Sequence, residues 1–247
     1  MGLYPECPRY LSCNGNKSSI ALGGGPAIAS ITSSTLSCLS SLLIVYTYLR
    51  WRDVRSGSRR VITFLAIADF FIAFGCVLGS SNYLVYFALN YAESGTEYGC
   101  PAFVNICEVQ SYLTTWSSIS SFVWTSALAF YFYLILVKDR LLLATRLIPW
   151  FHVVAWGFPI AICLPLLITG KLGFAPYTAS TWCFIYDNQN RHKHLTDKEI
   201  GIILIAGKFW EILTYAVVIV LYTVIKCHIG KEVRDRGNVP DYPFQNV

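Results

Sequence analysis

The sequence predicts an all-α polytopic bundle of transmembrane helices that crosses the bilayer five times, and three observations predict it. Only 13% of the 247 residues are charged against 55% hydrophobic, with mean hydropathy +0.50, whereas a soluble globular domain carries about a quarter charged residues. Five apolar stretches are each long enough to cross about 30 Å of hydrocarbon. The basic residues fall between those stretches, so membrane topology accounts for the net charge of +5 better than binding to nucleic acid does.

Residues 1–26 are expected to form an extracellular segment. They hold Cys7, Cys13 and the triplet Gly23, Gly24, Gly25, which lacks the spacing of a nucleotide loop and reads as a flexible lead into the first helix. No basic start followed by an apolar run opens the chain, so no cleaved signal peptide is predicted and the first span does the targeting. Asn16-Lys17-Ser18 is a glycosylation sequon, usable where this end faces the lumen or the outside.

The bundle is expected over 27–229. No charge occurs between Lys17 and Arg50, and span one is placed at 27–50. A short hairpin follows, with Arg52, Arg55, Arg59 and Arg60 around Ser56-Gly57-Ser58. Span two, 61–90, is interrupted by Asp69 alone, and the acidic loop after it has neither Lys nor Arg. Span three, 102–137, carries from Cys107 onward the single charge Glu108; as a helix at ~1.5 Å per residue, 107–137 runs about 46 Å. Its small polar residues Ser111, Thr114, Thr115, Ser118, Ser121 and Thr125 recur at helical spacing, the pattern of a helix approached closely on several sides. Residues 138–148 are basic again. Span four, 149–169, contains Trp156, with Pro149 suited to a helix start and Pro159 and Pro165 expected to kink it. A polar loop, 170–198, leads to span five at 199–227. Residues 230–247 are read as a cytosolic tail or the start of a third intracellular loop.

Orientation follows from charge. Of the 19 Lys and Arg, twelve lie in the first hairpin, the loop after span three and the tail, and six lie in the N-terminus and the other two loops. The excess belongs to the cytosol, which puts the N-terminus outside, in a multi-pass protein of the plasma membrane. Cys7, Cys13, Cys100, Cys107 and Cys183 are then on or near the oxidising side, where stable disulfides form. Cys183 is expected to tie back to Cys107 at the top of span three, because Cys107 lies one bilayer-plus-interface length above Val137. Cys100 pairs with Cys7 or with Cys13, or stays free.

Val54-Arg55-Ser56 with Arg59-Arg60, Leu65-Ala66-Ile67-Ala68-Asp69, Ser121-Phe122-Val123-Trp124-Thr125, the run Phe151 to Pro159, Trp182-Cys183 and Gly207-Lys208-Phe209-Trp210-Glu211 stand in this order and spacing. In that arrangement the sequence resembles an orphan group of seven-helix G-protein coupled receptors, similar to the cyclic-AMP-receptor and secretin-like branches. The resemblance covers nearly all of 53–230 and implies a receptor that binds an extracellular ligand and signals to a heterotrimeric G protein. The sixth and seventh helices of such receptors lie outside this sequence, so the expectation is a fragment or truncated product. No Asp/Glu-Arg-Tyr triplet closes span three, where Lys138-Asp139-Arg140 stands instead.

Charges inside lipid survive when paired or hydrated. Asp69 reads as a hydrogen-bond acceptor for neighbouring helices; the resemblance implies, as the alternative, a share in a sodium site. Lys208 and Glu211, three apart on one face, are expected to pair, either as a purely structural ion pair or as the group that receives a ligand's charge. A retinal Schiff base on Lys208 is disfavoured, since retinal proteins keep that lysine in the final helix. Tyr83, Tyr86, Tyr112 and Trp116, in the outer halves of spans two and three, line a ligand pocket or anchor the interface. Arg52, Arg55, Arg59, Arg60, Lys138 and Arg140, with Lys226 and Lys231, form a cytosolic face for a G protein or for anionic lipid. His192, His194, Asp197 and Glu199 fit no zinc spacing, and no serine elbow, P-loop or Cys-x-x-Cys occurs, so no metal, cofactor or enzymatic activity is expected. The runner-up reading is a small transporter or channel with Asp69, Glu108, Lys208 and Glu211 as its polar path.

Overall fold

The computed structural model describes residues 17–51, 53, 56–92, 100–173, 183–185 and 197–237. Five helical stretches among them are long and apolar enough to cross a membrane: Gly25–Arg50, Gly57–Val85, Asn105–Leu136, Leu141–Ile168 and Ile200–Asp235. The first lies in α1 (Lys17–Arg50), the second in α2 (Gly57–Ala92) and the third in α3 (Cys100–Leu136). The fourth is α4 (Leu141–His152) and α5 (Phe158–Ile168) joined by a π turn, Val153–Gly157; the fifth is α6 (Asp197–Ile203) and α7 (Phe209–Gly237) joined by a second, Leu204–Lys208.

Local chemistry explains where the helices begin and how they tolerate polar residues. Ser56 caps α2 by accepting the Arg59 backbone N–H on its hydroxyl at 3.3 Å, which satisfies one of the amides a helix start leaves open. Along α1 the hydroxyls of Thr35 and Thr47 donate to the carbonyls of Ile31 and Ile44, so these side chains present no unsatisfied donor to lipid. After α3 the chain turns through Asp139 at φ 51°, a left-handed conformation that Asp tolerates better than most residues, and the Arg140 N–H returns to the Leu134 carbonyl at 2.9 Å.

The fourth helical stretch starts at Leu141, ahead of Pro149, which lies inside α4. Residues 141–148 include four Leu, a strong helix former, and they bury Ala144 and Ile148 against the bundle. The disturbance expected from Pro159 takes the form of the π turn just before it, where the missing proline N–H leaves the Ala155 carbonyl without its usual partner. Pro165 sits within α5, which continues to Ile168.

α3 is the hub. It touches α2, the fourth and fifth stretches and both strands of the two-stranded antiparallel sheet β1 (Leu172–Gly173) and β2 (Phe184–Ile185), whereas α1 rests on α2. The main core joins α2, α3 and the fourth stretch through Val61, Ala68, Trp124, Tyr131, Ile148 and Ala155. Close approach of α2 to α3 is built on Gly75 and Gly79: a Cβ at Gly79 would stand 2.8 Å from the Gln110 side chain, and one at Gly75 2.5 Å from Thr114 Cγ2.

Candidate functional site

At one end of the bundle the returning loop is pinned to α3. Cys107 and Cys183 form a disulfide with Cα atoms 5.5 Å apart, as compartment and spacing predicted. Gln110, fully buried one turn deeper, accepts the Cys183 backbone N–H on Oε1 at 2.8 Å and donates through Nε2 to Thr114 Oγ1 at 3.3 Å. The Ser111 hydroxyl donates to the Phe184 carbonyl. One helical face thus offers a covalent link, an acceptor and a donor to consecutive residues of the loop. Leu172 pairs with Ile185 and Gly173 with Phe184, and the hairpin seats on the fifth stretch through Leu172 and Ala206.

The aromatic residues proposed from sequence have separate surroundings. Tyr112 packs against the Leu172–Ala206 cluster beneath the loop. Trp116, one turn on, lies 5.8 Å from Phe71 of α2 and 5.4 Å from Trp156 in the fourth stretch. Tyr83 is half-buried on α2, and the Tyr86 side chain lies outside the described residues. Below Trp116 the stacking continues through Trp124, Phe64 and His152, with His152 edge-on to Phe64 at 4.1 Å and to Trp124 at 4.9 Å. Sequence reading did not single out His152 or Gln110; the Gly75-x-x-x-Gly79 spacing was the available signal that α2 and α3 meet so closely.

Asp69 accepts a hydrogen bond from the Ser121 hydroxyl at 2.7 Å, which places it between α2 and α3 as the structural acceptor that was one of its two readings. It also borders a cavity of about 550 Å³ between α1 and α2, lined on the α1 side by Ser33, Ser34, Ser37 and Ser41. Lys208 and Glu211 form the expected ion pair, Nζ to Oε2 at 2.8 Å, with Lys208 the more exposed partner. Among the described residues no hydrogen bond joins the Asp69–Ser121 pair to the Lys208–Glu211 pair.

At the opposite end Gly57 lies against the Tyr131 hydroxyl, which brings the start of α2 beside the end of α3. Arg59, Arg60, Lys138 and Arg140 are all exposed there, and Lys138 Nζ stands 5.9 Å above the Tyr133 ring. Arg52 and Arg55, the sequon at Asn16 and the segment with His192 and His194 lie outside the described residues, as do the side chains of Cys100, Asp197 and Glu199.

Comparison with known proteins agrees with this architecture. The human G-protein coupled receptor 157 is 32% identical over 209 residues, covering 81% of this chain and 54% of that protein. The mouse G-protein coupled receptor 157 is 32% identical over 203 residues with the same coverage. The chain therefore spans about half the length of the curated relatives it matches. Squid rhodopsin shares the fold at TM-score 0.65 and 11% identity, over 95% of this chain and 59% of its own. A family profile, 7 transmembrane receptor (Secretin family), matches residues 26–228. With five membrane-length helices arranged on a central third one, the chain belongs to the secretin family of seven-transmembrane receptors.

Proposed function

We propose that this protein is a G-protein coupled receptor that binds an extracellular ligand at the end of the bundle closed by the Cys107–Cys183 loop, and signals to a heterotrimeric G protein at the end that carries Arg59, Arg60, Lys138 and Arg140. The observation that carries the reading is the family match across 26–228. The two ends of the bundle support the division of labour: one holds a loop at four points on α3 and the fifth stretch, and the other presents exposed cations beside a close α2–α3 junction. The ligand is proposed to engage the outer half of α2, α3 and the fifth stretch, where Tyr83, Tyr86, Tyr112, Trp116, Lys208 and Glu211 stand. Its differential affinity for two arrangements of the helices then shifts their populations.

The test is guanine-nucleotide exchange on a purified heterotrimer in vesicles that carry the receptor, with ion and solute flux followed in the same vesicles. Exchange above that of empty vesicles is the expected result. Flux without exchange overturns the proposal in favour of a transporter or channel.

A further inference from the structure

The ion pair on the fifth stretch is unevenly occupied. Both oxygens of the Glu211 carboxylate are engaged: Oε2 by Lys208 Nζ at 2.8 Å, and Oε1 by the Tyr215 hydroxyl at 3.4 Å. The Lys208 ammonium has three donors, of which the carboxylate takes one. Lys208 is also the open partner, with its side chain 62% exposed against 30% for Glu211. The carboxylate keeps further lone pairs, but it is the more buried partner, so the group this net-neutral triad presents outward is the Lys208 ammonium.

Depth adds to the argument. Lys208 lies about 12 Å along the helix from Ile200, where the membrane-length stretch begins. A lysine in that position ordinarily snorkels toward the near interface, and helical side chains lean toward the N-terminus. Here the ammonium is drawn the other way, to Glu211 one turn deeper. Glu211 already balances the ammonium's charge at that depth, and what an incoming group can add is an acceptor for the donors the carboxylate does not take. The approach to it is apolar as well: Ile205, Ile212 and Tyr215, at i−3, i+4 and i+7, flank Lys208 and are exposed.

We infer that Lys208 is the charge-recognition point for an anionic amphiphile. Its carboxylate, phosphate or sulfate head takes the free Lys208 donors, and its apolar body lies along Ile205 and Ile212. Glu211 and Tyr215 are positioning residues: they hold the ammonium at depth, and Glu211 competes with the ligand's head for it. That this is the receptor's ligand site rests on the function proposed above; the charge selectivity rests on the triad alone. A free fatty acid and an anionic phospholipid share this chemistry.

Oleate, methyl oleate and oleylamine serve as probes on the full chain in phosphatidylcholine nanodiscs, read by scintillation proximity with empty nanodiscs subtracted. Saturable binding of oleate with loss of affinity for the ester and the amine is expected. Lys208→Met should weaken oleate by roughly tenfold or more, because charge-assisted hydrogen bonds are the strong ones; Lys208→Arg should keep it, and Glu211→Gln, which lets the ammonium snorkel away from that depth, should weaken it less than Lys208→Met does. Equal binding of acid and ester, preference for the amine, no saturable oleate binding, or a Lys208→Met protein that binds as before each overturns the inference. The probe series on the unaltered protein decides even where a variant fails to fold. Competition of oleate by phosphatidylglycerol in the nanodisc identifies phospholipid as the occupant, and its persistence identifies a free acid. Charge-selective binding without nucleotide exchange removes the receptor reading and leaves this site; exchange with unselective binding does the reverse.

Discussion

Asp69 and Ser121 show how a single polar contact is made to serve a membrane bundle. The carboxyl sits in an apolar stretch and finds a hydroxyl at 2.7 Å on the neighbouring helix, and such bonds in membrane proteins are worth about 0.6 kcal/mol on average and up to roughly 1.7. Ser121→Ala is therefore expected to lower unfolding stability by about 1 kcal/mol, read as a drop in the melting midpoint in detergent, whereas Asp69→Asn, which keeps an acceptor, is expected to lose less. Gly79 is less forgiving. A Cβ there meets Gln110 at 2.8 Å, and Gln110 is held by the Cys183 amide. Gly79→Leu is expected to cost about 1–3 kcal/mol by overpacking, and also to loosen the loop, seen as faster hydrogen exchange at the Cys183 amide. At this scale sequence reading succeeded where chemistry alone constrains a residue: an acid in lipid needs a partner, and Lys208 and Glu211 three apart find each other. It missed Gln110, because nothing in a lone Gln reveals that a loop seventy-three positions later will donate to it.

The helices were legible because hydropathy and charge placement act over tens of residues, and the membrane penalises any other solution. The Cys107–Cys183 link was legible for a related reason: compartment restricts the candidates and helix length supplies the reach. The interruptions were not. Pro159 signals a break, but whether the chain kinks, unwinds or inserts an extra residue depends on what packs beside it, here Phe158 against Trp210 at 4.7 Å. The Leu204–Lys208 turn has no proline within it, and its freed Ile205 carbonyl is taken by the Trp210 indole N–H at 2.8 Å, a contact that propensity does not announce. Tyr112 and Trp116 illustrate the same limit: four residues apart they differ by about 40° of rotation, and on a helix surrounded by neighbours that is enough to give them different partners. For the loop the expectation is graded. Cys183→Ala alone should cost about 2–4 kcal/mol, and the added change Gln110→Leu should produce a further loss and free the hairpin from α3, measured by thermal unfolding and by protease cleavage of the fourth loop.

Across the whole molecule, burial is uneven. In the most apolar windows of α2 and α3 a third of the residues are buried, against 6% in the first and fifth stretches, so the packing among the described residues is concentrated on α2 and α3. Orientation belongs to this scale, since it depends on the summed asymmetry of basic loops rather than on any one contact. Asn16→Gln is expected to abolish a glycosidase-sensitive mobility shift, and a shift that never occurs, with an N-terminus protected from added protease in sealed cells, would reverse the assignment of ends. The bond between Asp69 and Ser121 also carries a consequence in time. A ribosome releases Asp69 fifty-two residues before Ser121, so until α3 is made the carboxyl has only water, the insertion machinery or the α1 serines that share its cavity as partners. The arrival of α3 is then the step at which that carboxyl gains its Ser121 partner.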